Sequence, residues 1–192
     1  MITIKKILAS ILIASPLLLS GCAITSAPDT ALSTPVISEP VATSHTLSNA
    51  VQTGKLEGFK GTSSFVLSGK NSPNLSEDQA RQILNNALSD AGMLAPHDAQ
   101  YDLNAFVKDT DECSLFCSKS QFSMNKNIII QYILESVATG DKLFDSIIKS
   151  HGYASCADGD PCIGFHRSEG VASARSYKDN FERIIEQLKD FK

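Results

Sequence analysis

The spacing of hydrophobic residues predicts two amphipathic helices in this chain. After Ser76, apolar residues recur at helical spacing until Gly92, which can close a helix, and Pro96 prevents its continuation. Ser76 and Gln79 have the spacing of a capping box in the first turn. A second helix is predicted from about Ser168 to the C-terminus. The apolar positions are Ala80, Ile83, Leu84, Ala87, Leu88 and Ala91 in the first helix and Tyr177, Phe181, Ile184, Ile185, Leu188 and Phe191 in the second.

Alternation of apolar and polar residues predicts strands in most of the remaining C-terminal part. Thr62–Ser68 is a short β-prone run, and Tyr101–Lys108 alternates cleanly. Lys126–Val137 and Lys142–His151 are predicted to form a hairpin through a turn at 139–141. On one face of this hairpin lie Ile128, Ile130, Tyr132 and Leu134, and we expect Phe144 and Ile148 to join them.

The predicted order of elements is β-α-β-β-β-α, and this order defines the fold class. Successive antiparallel strands with two amphipathic helices favour an α+β fold. We therefore predict a two-layer sandwich, with a mainly antiparallel sheet of about four strands and two helices on one face.

The N-terminal segment has the pattern of a secretory signal. Lys5 and Lys6 precede an apolar run from Ile7 to Leu19. That run is about thirteen residues long, whereas a helix that spans a bilayer needs roughly 20. We predict that residues 1–21 are a signal peptide that is removed from the mature protein.

The end of this segment, Leu19-Ser20-Gly21-Cys22, resembles the lipobox of bacterial lipoproteins. The resemblance implies that Cys22 becomes the N-terminus and is modified with lipid, including a fatty acyl chain such as palmitate. Two or three acyl chains hold a protein at a bilayer far better than one chain does. Ala23 follows in place of the Asp that favours the inner membrane in this family. The resemblance thus implies a protein of the bacterial cell envelope that is anchored at the outer membrane and faces the periplasm.

Composition divides the mature chain into two parts. Residues 22–53 contain the lipidated cysteine and a stretch rich in Ser, Thr and Pro, which we predict to be a flexible tether. Residues 54–192 are predicted to form a single periplasmic domain. The formal net charge of the whole chain is −4, and this acidic balance argues against nucleic acid as a partner.

Several short sequences of the folded part resemble small envelope lipoproteins of unknown function. They are Gly58-Phe59-Lys60-Gly61, Ala91-Gly92-Met93-Leu94-Ala95-Pro96, the Tyr-x-Leu at 101–103 and the Thr139-Gly140 turn. The resemblance implies the same class of protein without adding a catalytic role.

Four cysteines follow Cys22, and an even number in an exported domain indicates two disulfides. Local pairing of Cys113 with Cys117 and of Cys156 with Cys162 is our first expectation. Pairing between the two loops remains open, because the predicted topology brings both loops to the same end of the sheet. A zinc site made of the four thiolates is a further alternative. We predict disulfides, and therefore no metal and no cofactor.

No complete catalytic set is visible in the sequence. Polar residues cluster in the loop at 151–167, where His151, Asp158, Asp160, His166 and Arg167 form the best candidate for a polar site. They could serve an envelope hydrolase or transferase, but we expect an ordinary surface loop.

A second candidate site lies on the hairpin. Ile129, Ile133 and Ile147 fall on the face directed away from the predicted helices. Exposed apolar patches on a sheet mark contacts with other molecules. We therefore predict a non-enzymatic binding or assembly module that is attached to the membrane by its N-terminal lipid and contacts an envelope protein. The alternatives are the hydrolase or transferase and a metal-binding module.

Overall fold

The computed structural model describes residues 27–65, 70–110, 123–160 and 165–192. Its helices are α1 (Thr30–Ser33), α2 (Glu77–Asp90) and α3 (Phe165–Lys189), with a 3-10 turn at Cys156–Asp158. Its strands are β1 (Val51–Glu57), β2 (Ser63–Phe65), β3 (Lys70–Ser72), β4 (Tyr101–Asp109), β5 (Ser123–Ser136) and β6 (Lys142–Ser155).

The fold is α+β, as predicted. Four strands form an open sheet in the order β1-β4-β5-β6, in which β1 is parallel to β4 and the other neighbours are antiparallel. Strands β2 and β3 make a separate two-stranded hairpin. The long helices α2 and α3 share one hydrophobic core with a single face of the large sheet.

The prediction for the first strand of the sheet was wrong. Within the described part of Thr62–Ser68, Ser63–Phe65 pairs in the small hairpin, and Val51–Glu57 occupies the edge of the large sheet. The alternation of β1 is interrupted because its pairing with β4 shifts between Thr53 and Leu56. Only Val51 and Leu56 are buried along the strand, which leaves little hydrophobic pattern to recognise.

Helix α2 forms as its sequence predicts. The Ser76 hydroxyl accepts a hydrogen bond from the Gln79 backbone, and the Gln79 side chain accepts one from the Ser76 backbone, so the capping box is complete. All six predicted apolar positions are buried. Gly92 follows the helix with a φ of +69°, a conformation that favours glycine.

Helix α3 packs against β6 at very short range. Gly152 of β6 lies under the helix, and a Cβ atom at this position would come within 1.8 Å of the Ala172 carbonyl oxygen and 2.6 Å of the Ser176 nitrogen. Both contacts are with backbone atoms that cannot rotate away. The absence of a side chain at Gly152 therefore allows the helix to rest directly on the strand.

The N-terminal segment differs from the predicted tether. Leu47 is fully buried, the Val36 nitrogen donates to a Glu182 carboxylate oxygen at 3.0 Å, and the His45 ring contacts the Lys189 carbonyl at 3.0 Å. Residues 27–50 thus belong to the folded domain, which begins before the predicted boundary at residue 54. The reason is that a few isolated apolar residues can bury against an existing helix layer without a period of their own.

Residues 1–26 lie outside the described residues, and the predicted signal peptide and Cys22 are among them. Within the described parts of the chain, no helix combines the length and the apolar composition needed to cross a bilayer.

Candidate functional site

The side of the large sheet that faces away from α2 and α3, here called the open face, carries a compact group of apolar side chains. Alternation along β5 points Ile128, Ile130, Tyr132 and Leu134 into the core, so Ile129 and Ile133 point to the open face. Ile147 of β6 lies beside Gln131 of β5, and Phe106 of β4 lies on its other side. The four apolar residues therefore surround Gln131.

Exposure differs among these four residues. Ile147 is 65% exposed, whereas Phe106, Ile129 and Ile133 are half-buried. A large β-branched side chain held this far into solvent on a regular strand keeps apolar surface available for contact. The three isoleucines selected from the sequence thus lie on one face, and the structure adds Phe106 to them.

Polar side chains next to this apolar group are held in place by one another. Gln131 Nε2 donates to Asp145 Oδ1 at 2.7 Å, and Lys142 Nζ lies 2.8 Å from Asp145 Oδ2. Hydrogen bonding from Lys142 lowers the pKa of the Asp145 carboxyl, with a further contribution from Gln131. Lys108 Nζ lies 5.5 Å from the centre of the Phe106 ring. The apolar centre therefore has a charged rim of both signs.

Asn104 closes the part of the open face next to β1. Its Oδ1 accepts from the Lys55 backbone nitrogen at 2.7 Å, and its Nδ2 donates to Glu135 Oε2 at 2.9 Å. Asn104 is only 4% exposed although it points away from the core. It fills the irregular stretch of β1 at Gly54, so the apolar group does not extend in that direction.

The polar residues predicted at 151–167 do not form one site in the described residues. The His151 ring contacts the Asn127 side chain at 3.2 Å, while Asp158 is exposed at the end of the 3-10 turn. His166 and Arg167 lie in the first turn of α3, and their side chains lie outside the described residues. The structure gives His151 and Asp160 different partners.

Asp160 has a well-defined structural role. Arg175 of α3 donates to both of its carboxylate oxygens, at 2.8 and 2.9 Å, and the Ser155 backbone nitrogen donates to Oδ2 at 2.9 Å. Hydrogen bonding from Arg175 holds the pKa of the Asp160 carboxyl below its usual value. A carboxylate held in this way ties the end of β6 to α3, and it is poorly suited to transfer protons near neutral pH.

The cysteine predictions lie outside the described residues. Cys113, Cys117 and Cys162 fall in undescribed segments, and only the backbone of Cys156 is described, at the start of the 3-10 turn. Their pairing stays a prediction. Among the described residues, no group of three or more His, Cys, Asp or Glu side chains is placed to hold a metal ion.

Two further features could not be recognised from the sequence. Lys126 of β5 and Glu169 of α3 form a buried ion pair with a separation of 3.5 Å, and each side chain is 1% exposed. A cavity of about 260 Å³ opens at the carboxyl ends of the parallel strands β1 and β4, where Lys60, Asn74, Lys108, Asp109 and Thr110 supply its polar lining. The polar groups of this cavity have mixed charge, and its lining alone does not indicate a ligand.

Comparisons with known proteins give only distant similarities of fold. The chain is similar to a Caulobacter crescentus protein provisionally assigned as a lipoprotein, with a TM-score of 0.43 and 11% identity over 58% of this chain and 78% of the other. It is similar to a hypothetical protein from Chlamydia trachomatis, with a TM-score of 0.48 and 9% identity over 74% and 96% of the two chains. It is also similar to a Xanthomonas campestris protein of the DUF330 family, with a TM-score of 0.46 and 10% identity over 79% and 90%.

No protein-family model matches this sequence, and no curated protein matches it. Similarity at the level of these structures does not by itself indicate a shared function. The residues of this chain are therefore the evidence for its function.

Proposed function

We propose that this protein is a lipid-anchored envelope lipoprotein whose domain binds another envelope protein through the open face of its sheet, without catalysing a reaction. The observation that carries the proposal is the group formed by Phe106, Ile129, Ile133 and Ile147 around Gln131. An apolar centre within a polar rim is the usual anatomy of a protein-binding surface.

The character of the rim favours a protein as the bound molecule. Lys108, Lys142 and Asp145 offer charges of both signs within a small area, which suits a surface with an alternating arrangement of charges. A membrane of anionic lipids would instead require a predominantly basic face.

The docked N-terminal segment supports a partner close to the bilayer. Residues 27–50 pack against the domain, so only the residues between Cys22 and Ala27 are left to separate it from the lipid. The five Cα–Cα steps from Cys22 to Ala27 span at most about 18 Å even when the chain is fully extended. With Cys22 as the lipid-bearing residue, the domain stays next to the membrane, and its partner would be an integral or membrane-bound envelope protein.

Photo-crosslinking in intact cells tests this function. A photoreactive residue would replace Gln131 in the full chain, and Asp90, an exposed residue of α2, would carry the same group as the reference site. We expect one dominant adduct with a membrane protein from position 131 and none of that size from position 90.

Matched variants test whether formation of the adduct depends on the apolar residues of the open face. Ile129→Asp and Ile147→Asp should each reduce its yield at least about tenfold, which corresponds to a loss of about 1.4 kcal/mol in binding. Val36→Asp is the control, because Val36 is apolar and 73% exposed but lies outside the sheet. Ile147→Asp alters a side chain that is already in solvent, so a folding defect is not expected. An adduct that is equally strong in all three variants would contradict the proposal.

A further inference from the structure

Along the second half of β6, side chains of α3 hydrogen bond to the backbone groups at the outer edge of the sheet. Arg175 donates to the Tyr153 carbonyl at 2.6 Å, Arg183 donates to the Lys149 carbonyl at 3.4 Å, and the His151 nitrogen donates to an Asp179 oxygen at 3.4 Å. These contacts show that the backbone groups of residues 149, 151 and 153 point away from β5. Because outward-pointing groups alternate along an edge strand, and the β5–β6 register stays regular as far as Phe144, the same holds for residues 145 and 147.

The opposite edge of the sheet is protected in a similar way. Arg81 of α2 donates to the carbonyls of Thr53 and Gly54 at 2.8 and 3.0 Å. The start of β1 is covered by backbone bonds that join Val51 to Met93 and Ala95. Arginines of the helix layer thus satisfy backbone groups at both edges, a device that limits pairing with other strands.

The first half of the β6 edge lacks such protection within the described parts of the chain. No described strand pairs with its outer side, and no described side chain hydrogen bonds to the backbone of Leu143–Ile147 there. Leu143 and Ile147 are both exposed. An unprotected edge with apolar side chains is a template for the addition of another strand.

We infer that β6 pairs with β6 of a second copy of this chain, in antiparallel orientation, with Ile147 opposite Ile147 of the second copy. This register brings Asp145 opposite Lys149 of the second copy, and the two-fold symmetry repeats the pair on the other side. The charges along this edge are therefore complementary to themselves. Backbone groups of residues 145–149 would form about six hydrogen bonds across the junction.

The charges also select this register over its neighbours. A shift that centres the pair on Asp145 places two carboxylates directly opposite each other, which is destabilising. In the register between these two, Asp145 lies opposite Ile147 and Lys149 lies opposite Leu143, so no pair of opposite charges forms. The Arg183 contact does not prevent pairing, because a carbonyl oxygen can accept a second hydrogen bond.

The dimer does not depend on partner binding at the open face, since it is formed by the backbone of the sheet edge. Two differently tagged copies of the full chain, produced together in cells and solubilised in a mild detergent at low salt, provide its test. When both copies are wild type, capture of the copy with one tag should also recover the copy with the other tag. Asp145→Lys in both copies, or Lys149→Asp in both copies, should lower recovery about tenfold because like charges then face each other.

The mixed pair is the decisive arm. When one copy carries Asp145→Lys and the other carries Lys149→Asp, every charge pair across the junction is again complementary, and recovery should return towards the wild-type value. This rescue also shows that each variant is folded. Recovery that is insensitive to the charges, a mixed pair that is no better than the like pairs, or no recovery with wild type would each overturn the inference. Ile129→Asp, which weakens the open face, should leave recovery unchanged.

Discussion

The hydroxyl of Tyr132 on β5 donates a hydrogen bond to the side-chain oxygen of Asn180 on α3 at 2.8 Å, in a part of the core that is closed to solvent. Nδ2 of Asn180 donates hydrogen bonds to the Ile148 carbonyl and to the Ser150 hydroxyl, both at 3.0 Å. Burial raises the pKa of Tyr132 well above its usual value, so the group acts as a neutral donor. This network fixes the position of α3 over one face of the sheet. The opposite face, the open face, is not covered by α3.

Removal of either member of the pair should destabilise the domain. Asn180→Leu leaves a buried hydroxyl without its acceptor, and we expect a loss of about 2–4 kcal/mol in the free energy of unfolding. Tyr132→Phe should cost about 1–2 kcal/mol. Because the two residues interact, the double variant should lose about 1 kcal/mol less than the sum. Urea unfolding of the three variants measures this coupling, and strict additivity would contradict the network.

Gly152→Ala should be one of the most destabilising small substitutions in the chain. The added methyl group would meet the backbone of α3 at Ala172, and the helix would have to move away from β6. We expect a loss of about 3 kcal/mol, which is typical of severe overpacking. Glu57→Ala, at an exposed position on β1, is the control and should change stability by less than about 0.5 kcal/mol. Equal unfolding midpoints for the two variants would show that α3 does not rest on Gly152.

Leu47→Ala tests whether the N-terminal segment belongs to the domain. Leu47 is fully buried, so its truncation should lower the free energy of unfolding by about 3 kcal/mol. Leu32→Ala affects a leucine of the same segment that is 42% exposed, and its effect should stay below about 1 kcal/mol. A flexible tether would give no effect in either variant, and that result would restore the division at residue 54.

The ion pair between Asp160 and Arg175 should make stability depend on pH in the acid range. The pKa of Asp160 is lowered in the folded state, so its contribution is present above the pKa of about 3.9 that the carboxyl has in an unfolded chain, and it is lost as the pH falls through the folded-state value. Wild type should exceed Asp160→Asn by about 1 kcal/mol at pH 7, a modest value because Arg175 is partly exposed.

Unfolding measured from pH 7 to pH 2 checks this prediction. The difference between the two proteins should shrink as the pH falls below about 4. A difference that stays constant or grows over this range would show that the Asp160 carboxylate does not stabilise the folded state.

Much of the fold could be predicted from local pattern. Helices α2 and α3 and strands β4, β5 and β6 keep their period over most of their length, so their apolar faces can be read from the sequence. The register shifts between β4 and β5 and between β5 and β6 fall near strand ends, after Val107 and after Leu134. Strand β1 escaped prediction because its pairing shifts between Thr53 and Leu56, which removes the alternation. This segment is a strand because it pairs with β4, which is distant in sequence, and its own residues show no local preference for a strand.

The candidate site could be predicted only in part. Alternation alone places Ile129, Ile133 and Ile147 on one face, but the position of Phe106 beside Gln131 depends on the register between strands. The arginines at the sheet edges depend on how the helices pack, and no local pattern indicates that Arg81 or Arg183 reaches a strand carbonyl. Tertiary geometry therefore defines the open face and its limits.

The proposed lipidation of Cys22 is the claim to test most directly, because the proposed compartment and the proposed distance from the membrane both depend on it. The measurement is the intact mass of the native protein, purified from cell membranes. We expect a chain that begins at Cys22 and carries a diacylglycerol group with a further acyl chain on its new N-terminus, and Cys22→Ala should leave the signal segment uncleaved. A native protein that retains Met1, or that begins near residue 22 without lipid, would contradict the account.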